Sequence, residues 1–353
     1  MAFSTESKVI AGPFLAAAGA LEKEKQKLHA SLVKTLAECT PGWKDVKPDD
    51  IDVKHLSGAM TNLILSVSKP SGENADLLIR IYGEGTDSFF VRSEETRLFQ
   101  LLSSKNIGIE LLGQFSNGRV ERLIDGTTLT SKQMRQPEVL KAIARKMRVF
   151  HHIDIDIDHT PRYMSEIHRL LEIARKKCTG PRFDGIVDFD EFVKDVKELE
   201  HILDQVPSPV VLSHNDLQYG NIMKTDNDVV LIDFEYTSYN PRGYDLGNHF
   251  CEWAYDYHKT INPHLGDFSK YPTAEQQREF CRAYLSGEHG DVAYTEEDVE
   301  VLRKEANSYS LASHLFWGLW GFIQAVQSEI DFDFLAYAKC RYDAFKSRVT
   351  IKN

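Results

Sequence analysis

The sequence is short of cysteine, of positive charge and of long apolar runs, and each shortage weighs against a class of protein. Its five cysteines (Cys39, Cys178, Cys251, Cys281, Cys340) are odd in number, widely spaced and without a Cys-x-x-Cys pair. That speaks against a disulfide framework and a zinc site, and fits reduced thiols in a cytosolic protein. Lys and Arg total 42 against 53 Asp and Glu, a formal net charge of −11. So acidic a chain is unsuited to nucleic acid or anionic membranes, whereas a cationic small molecule would be tolerated and weakly steered. A nucleotide stays open to it, because phosphates are held locally by N–H groups, a basic side chain and a divalent ion. Only two stretches are strongly apolar. Leu311–Val326 contains His314 and Gln324 and is shorter than the ~20 residues of a membrane span. Val9–Leu21 follows Lys8 and resembles the apolar part of a secretory leader. Charged helix-like sequence follows it at once, so the expectation is a cytoplasmic protein with no membrane insertion. No internal repeat or low-complexity segment is present.

What is there is globular: 42% hydrophobic and 27% charged residues, in a 353-residue chain long enough for two lobes. Helical spacing of Leu28, Leu32, Val33 and Leu36 predicts a helix over 22–37, ended by Pro41-Gly42. Strands are expected at 51–55, 62–67, 77–83, 111–115 and 120–124. A Gly-containing loop, Leu56 to Thr61, joins the first two and is where phosphates could approach backbone closely. Arg80 lies inside the third strand and needs an anionic partner once buried. Glu95, on the inward face of a helix over 93–103 with Leu98, Phe99 and Leu102, is the expected one. Past Asp125-Gly126 the pattern turns helical (137–152, 163–178, 190–205, 275–285), so the hinge between lobes is placed there. The alternating acids of Ile153–His159 read as a solvated loop or edge rather than a metal site. Thr295 to Asp298 carries a capping signature for another helix.

The chemistry concentrates in Ser213–Trp253. Asp216 is followed five residues later by Asn221, and the apolar run Val229–Ile232 then delivers Asp233. A phosphoryl-transfer site needs that set: one carboxylate to orient a hydroxyl nucleophile, with an amide and a second carboxylate to hold Mg²⁺. Asp245, an acid in an apolar setting, is expected to tie down backbone N–H groups of this loop, and His214 likewise. Farther on, Leu311, Leu315, Leu319, Phe322 and Val326 form one helical stripe, with Trp317 and Trp320 opposite. Together with Tyr236, Glu252, Trp253, Tyr255, Tyr257, Phe332 and Tyr337 these indoles suggest an aromatic cage beside a carboxylate. Such a cage holds a quaternary ammonium through cation–π contacts.

HNDLQYGNI, followed by LIDFEYTSYNPRGYDLGNHFCEW, resembles the choline/ethanolamine kinase family. LSGAMTN resembles its nucleotide loop, LLIRIYG its ATP-site strand, and SHLFWGLW and IDFDFLAYA its substrate segments. The resemblance covers residues 50 to 345. It implies an α+β, bilobal protein-kinase-like fold, with a small β-rich N-lobe (1–124) and a larger, mostly helical C-lobe (125–353). It implies MgATP-dependent phosphorylation of choline, with ethanolamine second, feeding phospholipid head-group synthesis. By position, Asp216 is the catalytic base, and Asn221 and Asp233 are Mg²⁺ ligands, joined by Glu235. Ser57, Gly58, Ala59, Thr61, Asn62, Arg80, Glu95 and Gln218 serve ATP. Tyr236, Glu252, Tyr257, Trp317, Trp320, Phe332 and Tyr337 form the amine pocket. Ala59 stands where the family often has a second Gly, which stiffens the loop. Gln218, Gly220 and CEWAYDY look choline-kinase-like, whereas IDFDFLAYA and RLIDGTTL look more like ethanolamine kinases. Family members are often homodimers, which the sequence neither supports nor excludes. A kinase for another alcohol, such as an aminoglycoside, would favour acids over rings. A catalytically silent nucleotide-binding scaffold is disfavoured by the intact Asp216, Asn221 and Asp233.

Overall fold

The computed structural model describes residues 3–5, 22–56, 62–82, 92–105, 107–226 and 228–348, the side chains of 3, 4, 22–24, 62 and 92–95 excepted. The expectations for Val9–Leu21, Ser57, Gly58, Ala59 and Thr61, and for the side chains of Asn62 and Glu95, lie outside the described residues. The chain divides into two compact units, Met1–Asp125 and Gly126–Asn353.

The first unit runs β1 (Phe3–Ser4), α1 (Glu22–Cys39), β2 (Asp52–Leu56), β3 (Asn62–Ser68), β4 (Asp76–Tyr82), α2 (Arg92–Ser104), β5 (Leu111–Phe115) and β6 (Gly118–Arg122). The strands form one sheet in the order β1-β5-β6-β4-β3-β2, antiparallel except where β1 meets β5. Register follows the period-two pattern. Leu63, Leu65 and Val67 lie opposite Ile81, Ile79 and Leu77, so all six share one face. They are buried in one core with Leu28, Leu32 and Leu36 of α1 and with Trp43. The strand expected at 120–124 starts earlier, at Gly118, because Ser116-Asn117 makes a two-residue hairpin turn. Gly118 has no substitute there, since a Cβ would sit 2.2 Å from the Arg80 carbonyl oxygen.

The second unit is mostly helical: β7 (Thr127–Thr128), α3 (Ser131–Met134), α4 (Pro137–His151), α5 (Tyr163–Lys177), α6 (Phe189–Leu203), β8 (Val210–Ser213), β9 (Ile222–Lys224), β10 (Val229–Leu231), β11 (Ser238–Pro241), α7 (Arg242–Glu252), α8 (Ala274–Leu285), α9 (Glu296–Gln327) and α10 (Phe334–Ser347). Two small sheets, β10-β9-β7 and β11-β8, interrupt the helices. Residues 153–159 are a loop, with Ile155 turned inward. The central column is α9, whose 32 residues span about 48 Å. It starts at a capping box between Thr295 and Asp298 and packs against α5, α6, α7, α8 and α10. One apolar stripe would serve a helix with a single neighbour. Here Leu311, Leu315, Leu319 and Phe322 are buried, but so are Ser313, His314 and Trp317 on other faces, while Val326 is 46% exposed. The stripe is buried as far as Phe322, and the side opposite it is largely buried too, with Trp320 partly exposed.

Candidate active site

The chain passes through β8, turns through His214–Asn221 and returns along β9 and β10, so that Asp216, Asn221 and Asp233 fall on one short segment of backbone. Antiparallel pairing sets β9 against β10, and the Ile232 N–H donates to the Asn221 carbonyl at 3.0 Å. Asn215 and Asp233 adopt left-handed backbone, with φ of 66° and 65°, which Asn and Asp tolerate best among residues with a Cβ. The Asn215 side chain donates to the Tyr236 carbonyl at 2.9 Å and accepts from the Asn240 amide at 2.9 Å. Asp245, wholly buried at the start of α7, accepts from the N–H groups of His214 and Asn215 at 2.8 and 2.7 Å and from His151 Nε2 at 3.0 Å. His214 accepts from the Asp216 N–H through Nδ1 and donates from Nε2 to the Ile232 carbonyl at 2.9 Å. One imidazole thus spans the loop and the strand end that precedes Asp233. Asp245 and His214 tie down the loop backbone.

Within this frame Asn221 donates both amide hydrogens to Asp216, one to its carbonyl and one to Oδ2, each at 2.8 Å. Burial pushes the half-buried Asp216 carboxyl well above the usual range. The charges of Glu252, Asp233 and Glu235 push it further, and the Asn221 hydrogen bond offsets part of this. Asp245 shows the opposite balance. Burial would raise it, but the hydrogen bond and charge of His151, with those of His214, bring it below the usual carboxylate value. Among the described residues no three His, Cys, Asp or Glu side chains form a ready metal cluster. The donors of Asn221, Asp233 and Glu235 nevertheless suit Mg²⁺, being oxygen only. The Asn221 amide nitrogen is used on Asp216, which leaves its Oδ1 with only a long 3.4 Å contact from Gln218. A divalent ion would also offset the crowding of carboxylates around Asp216. Gln218 itself caps the short turn at Tyr219–Asn221, its Oε1 accepting from the Gly220 N–H at 2.6 Å.

The ring residues are contiguous. Tyr236 meets Trp317 at 5.2 Å, Trp317 meets Trp320 at 5.5 Å, and Trp320 meets Tyr337 at 6.3 Å between centroids. Tyr337 in turn meets Phe332 at 5.8 Å and Tyr257 at 6.4 Å. Most pairs are edge-to-face, the arrangement that ring quadrupoles favour. Trp317 is pinned by its indole N–H on Asn248 Oδ1 at 2.8 Å, while Trp320 is partly exposed. The wall adjoins the acidic loop. Burial raises the Tyr236 hydroxyl well above its usual value, and Glu235 and Asp216 add to this. Glu252 is buried, with Oε2 accepting from the Tyr257 hydroxyl at 2.9 Å and Oε1 paired with Arg341. Periodicity does not single out Arg341. The available signal is a cation one helical turn after Tyr337 and so on the same helix face.

In the first unit, Arg80 is buried and its Nε lies 3.4 Å from Glu121 Oε1, which Arg119 Nε also reaches at 2.6 Å. Arg80 and Arg119 are directly opposite in β4 and β6. Like charges so placed repel, and the fully buried Glu121 offsets them. Helical spacing suggests Glu95 as the partner. The Glu95 side chain lies outside the described residues, and Glu121 is a further partner that emerges only from strand register.

A sequence model of the family described as choline/ethanolamine kinase matches residues 53–346. The chain is 36% identical to a protein named "Probable choline kinase 2" from Arabidopsis thaliana, across 92% of this chain and 93% of that one. It is 37% identical to choline/ethanolamine kinase of Rattus norvegicus, across 86% of this chain and 82% of the other. Among solved structures, choline kinase from Cryptosporidium parvum superposes with a TM-score of 0.78 at 27% identity, covering 90% of this chain and 94% of that one.

Proposed function

The chain belongs to the choline/ethanolamine kinase family, and on that premise we propose that it transfers the γ-phosphoryl group of ATP to the hydroxyl of choline, with ethanolamine as a secondary substrate. It is an enzyme of protein-kinase-like fold that phosphorylates choline or ethanolamine and, as a kinase, uses ATP. The site roles and the preference for choline are our reading. The substrate hydroxyl oxygen forms a bond to the γ-phosphorus, the bond from that phosphorus to the β–γ bridging oxygen breaks, and ADP leaves. Asp216 orients the hydroxyl by accepting its hydrogen bond and takes its proton late in the transfer. Asn221 holds the Asp216 carboxylate from the side. Asn221 and Asp233, with Glu235, would hold Mg²⁺, which supplies charge neutralisation at the phosphates. In the first unit Arg80, steadied by Glu121, is the proposed phosphate contact. Tyr236, Tyr257, Trp317, Trp320, Phe332 and Tyr337 present ring faces to the ammonium, and Glu252 sets the tyrosine edge of that wall.

The observation that carries this reading is one neighbourhood containing both halves of the chemistry. Asn221 holds Asp216 at 2.8 Å, and Tyr236, three residues beyond Asp233, joins the ring wall through Trp317 at 5.2 Å. Burial together with Glu252, Asp233 and Glu235 raises the Asp216 carboxyl. The test is kcat/KM for choline and for ethanolamine with purified protein and MgATP. Choline is expected to exceed ethanolamine by about tenfold, on the order of one lost set of polar contacts. The reverse ratio would make ethanolamine the substrate, and turnover of neither would refute the assignment.

A further inference from the structure

We propose that Arg341 is a positioning residue that sets the selectivity of the pocket for quaternary over primary ammonium, by engaging Glu252 so that recognition is left to ring faces. The inference rests on the amine-kinase reading above. Arg341 is wholly buried in α10. Its guanidinium lies 4.1 Å from the centroid of Tyr255 and 5.3 Å from that of Tyr337. Nε donates to the Tyr337 hydroxyl at 3.1 Å, and Nη2 donates to Glu252 Oε1. The other Glu252 oxygen accepts from the Tyr257 hydroxyl at 2.9 Å. One guanidinium therefore fixes Glu252 and Tyr337 directly, and Tyr257 through Glu252.

The arrangement decides what a cation meets. An Arg–Glu pair has no net charge, so the pocket wall presents tyrosine and tryptophan rings rather than a bare carboxylate. A quaternary ammonium has no N–H to donate and loses nothing by this. A primary ammonium carries three N–H donors, and the carboxylate beside it already has both oxygens engaged. Leaving those donors poorly matched penalises ethanolamine. Arg341 thus acts on the substrate through Glu252 and the tyrosines, without contact of its own.

The test uses the full chain with saturating MgATP and measures kcat/KM for choline and ethanolamine in wild type, Arg341→Met, Arg341→Lys, Glu252→Gln and the double variant Glu252→Gln/Arg341→Met. Arg341→Met frees Glu252, so the choline:ethanolamine ratio should fall by about tenfold, while KM for ATP changes less than about twofold. Arg341→Lys should recover part of the ratio, and the double variant, having no free carboxylate, should return it toward wild type. An equal loss for both amines in Arg341→Met, or no recovery in the double variant, would show a purely structural residue and overturn the proposal. Should Arg341→Met not fold, Glu252→Gln and Arg341→Lys decide. Glu252→Gln removes the carboxylate that Arg341 is proposed to mask, so choline should lose no less than ethanolamine and the ratio should not rise above wild type. With Arg341→Lys the ratio should lie between wild type and parity, and a ratio unchanged in Arg341→Lys would overturn the idea. Wild-type turnover of either amine establishes the underlying reading separately; its absence for both overturns that reading and this proposal together.

Discussion

Asp245→Asn is the sharpest probe of how the catalytic loop is held. Asp245 is fully buried and accepts three hydrogen bonds, from the N–H groups of His214 and Asn215 and from His151 Nε2. In the variant one carboxylate oxygen becomes an NH₂ group. Oδ1 receives Asn215, and Oδ2 receives both His214 and His151, so either amide orientation sets a donor against a buried backbone N–H. Losing one charge-assisted hydrogen bond costs about 1.5–3 kcal/mol, and stranding a buried donor about 1–3 more. A total of about 3–5 kcal/mol agrees with the usual cost of breaking a buried charged pair. At about 2–4 °C per kcal/mol for a unit of this size, Tm should fall by about 6–20 °C. The loop carries the proposed base one residue beyond Asn215, so kcat should fall about 100-fold from misplacement alone. The pH dependence has a definite sign. The folded-state carboxyl lies below its ordinary value, after burial is outweighed by His151 and His214. Its stabilisation is therefore present above the unfolded value and lost as pH falls through the folded one. The gap between wild type and variant should close only below about pH 4. Calorimetry and steady-state kinetics on the same preparations decide it. A Tm within about 2 °C of wild type would refute the hydrogen-bond accounting, and a large Tm loss with normal kcat would refute the link to the base.

Asp216→Asn should lower turnover about 10²- to 10⁴-fold while ATP still binds, and near-normal turnover would remove Asp216 as base. Burial first, then Glu252, Asp233 and Glu235, raise this carboxyl, so its ionised form opposes folding at neutral pH. Asp216→Asn should accordingly match or exceed the wild-type Tm, and a clear fall would contradict that sign. For the same reason the acid limb of the wild-type kcat/KM profile should lie above the ordinary carboxylate value of about 3.9; a limb below pH 4 would contradict it. Trp320→Ala removes one ring face, an effect of about 0.5–2 kcal/mol. That predicts a rise of about 2- to 30-fold in the KM for choline with little change for ATP, and equal rises would mark Trp320 as packing.

The proposed phosphoryl-transfer residues stand out in the sequence because such chemistry would fix their spacing. A base, an amide and a strand-end carboxylate must come in that order, and the structure puts Asn221 on Asp216 and anchors the strand before Asp233. Asp245 is legible for a similar reason, being an acid whose apolar neighbours leave it little to do but accept hydrogen bonds. Contacts that depend on register or on helix pairing are not legible. Arg80 needs a counter-charge, but only the pairing of β4 with β6 brings Glu121 to it. Period presents Glu95, whose side chain lies outside the described residues, while Glu121 stays hidden because a cross-strand neighbour is not visible in sequence. Likewise α9 reads as amphipathic while being buried on most sides, since a helix with five neighbours has no solvent face to mark. Arg341 is hidden by the same effect, its partner Glu252 lying 89 positions away.

The division of labour within the second unit follows from one helix. Asp245 and Glu252 both belong to α7, and their spacing of two turns sets them on one face, about 10 Å apart along the axis. The first fixes the loop that carries the proposed base; the second fixes the tyrosine edge of the ring wall. Asn248, between them, pins Trp317 on α9. Helices α7 and α9 cannot slide apart or together easily, because Gly247 lets their backbones meet where a Cβ would lie 2.4 Å from the Ala306 carbonyl oxygen. Base and wall are therefore related by a rigid helix pair rather than by loops. Choline and ethanolamine share the same two-carbon spacer between hydroxyl and nitrogen and differ only in the head group. A rigid relation between the proposed base and wall would read the spacer and treat both amines alike. On the proposed reading, discrimination between them must come from the wall itself, where rings would face the head and Arg341 holds the Glu252 carboxylate.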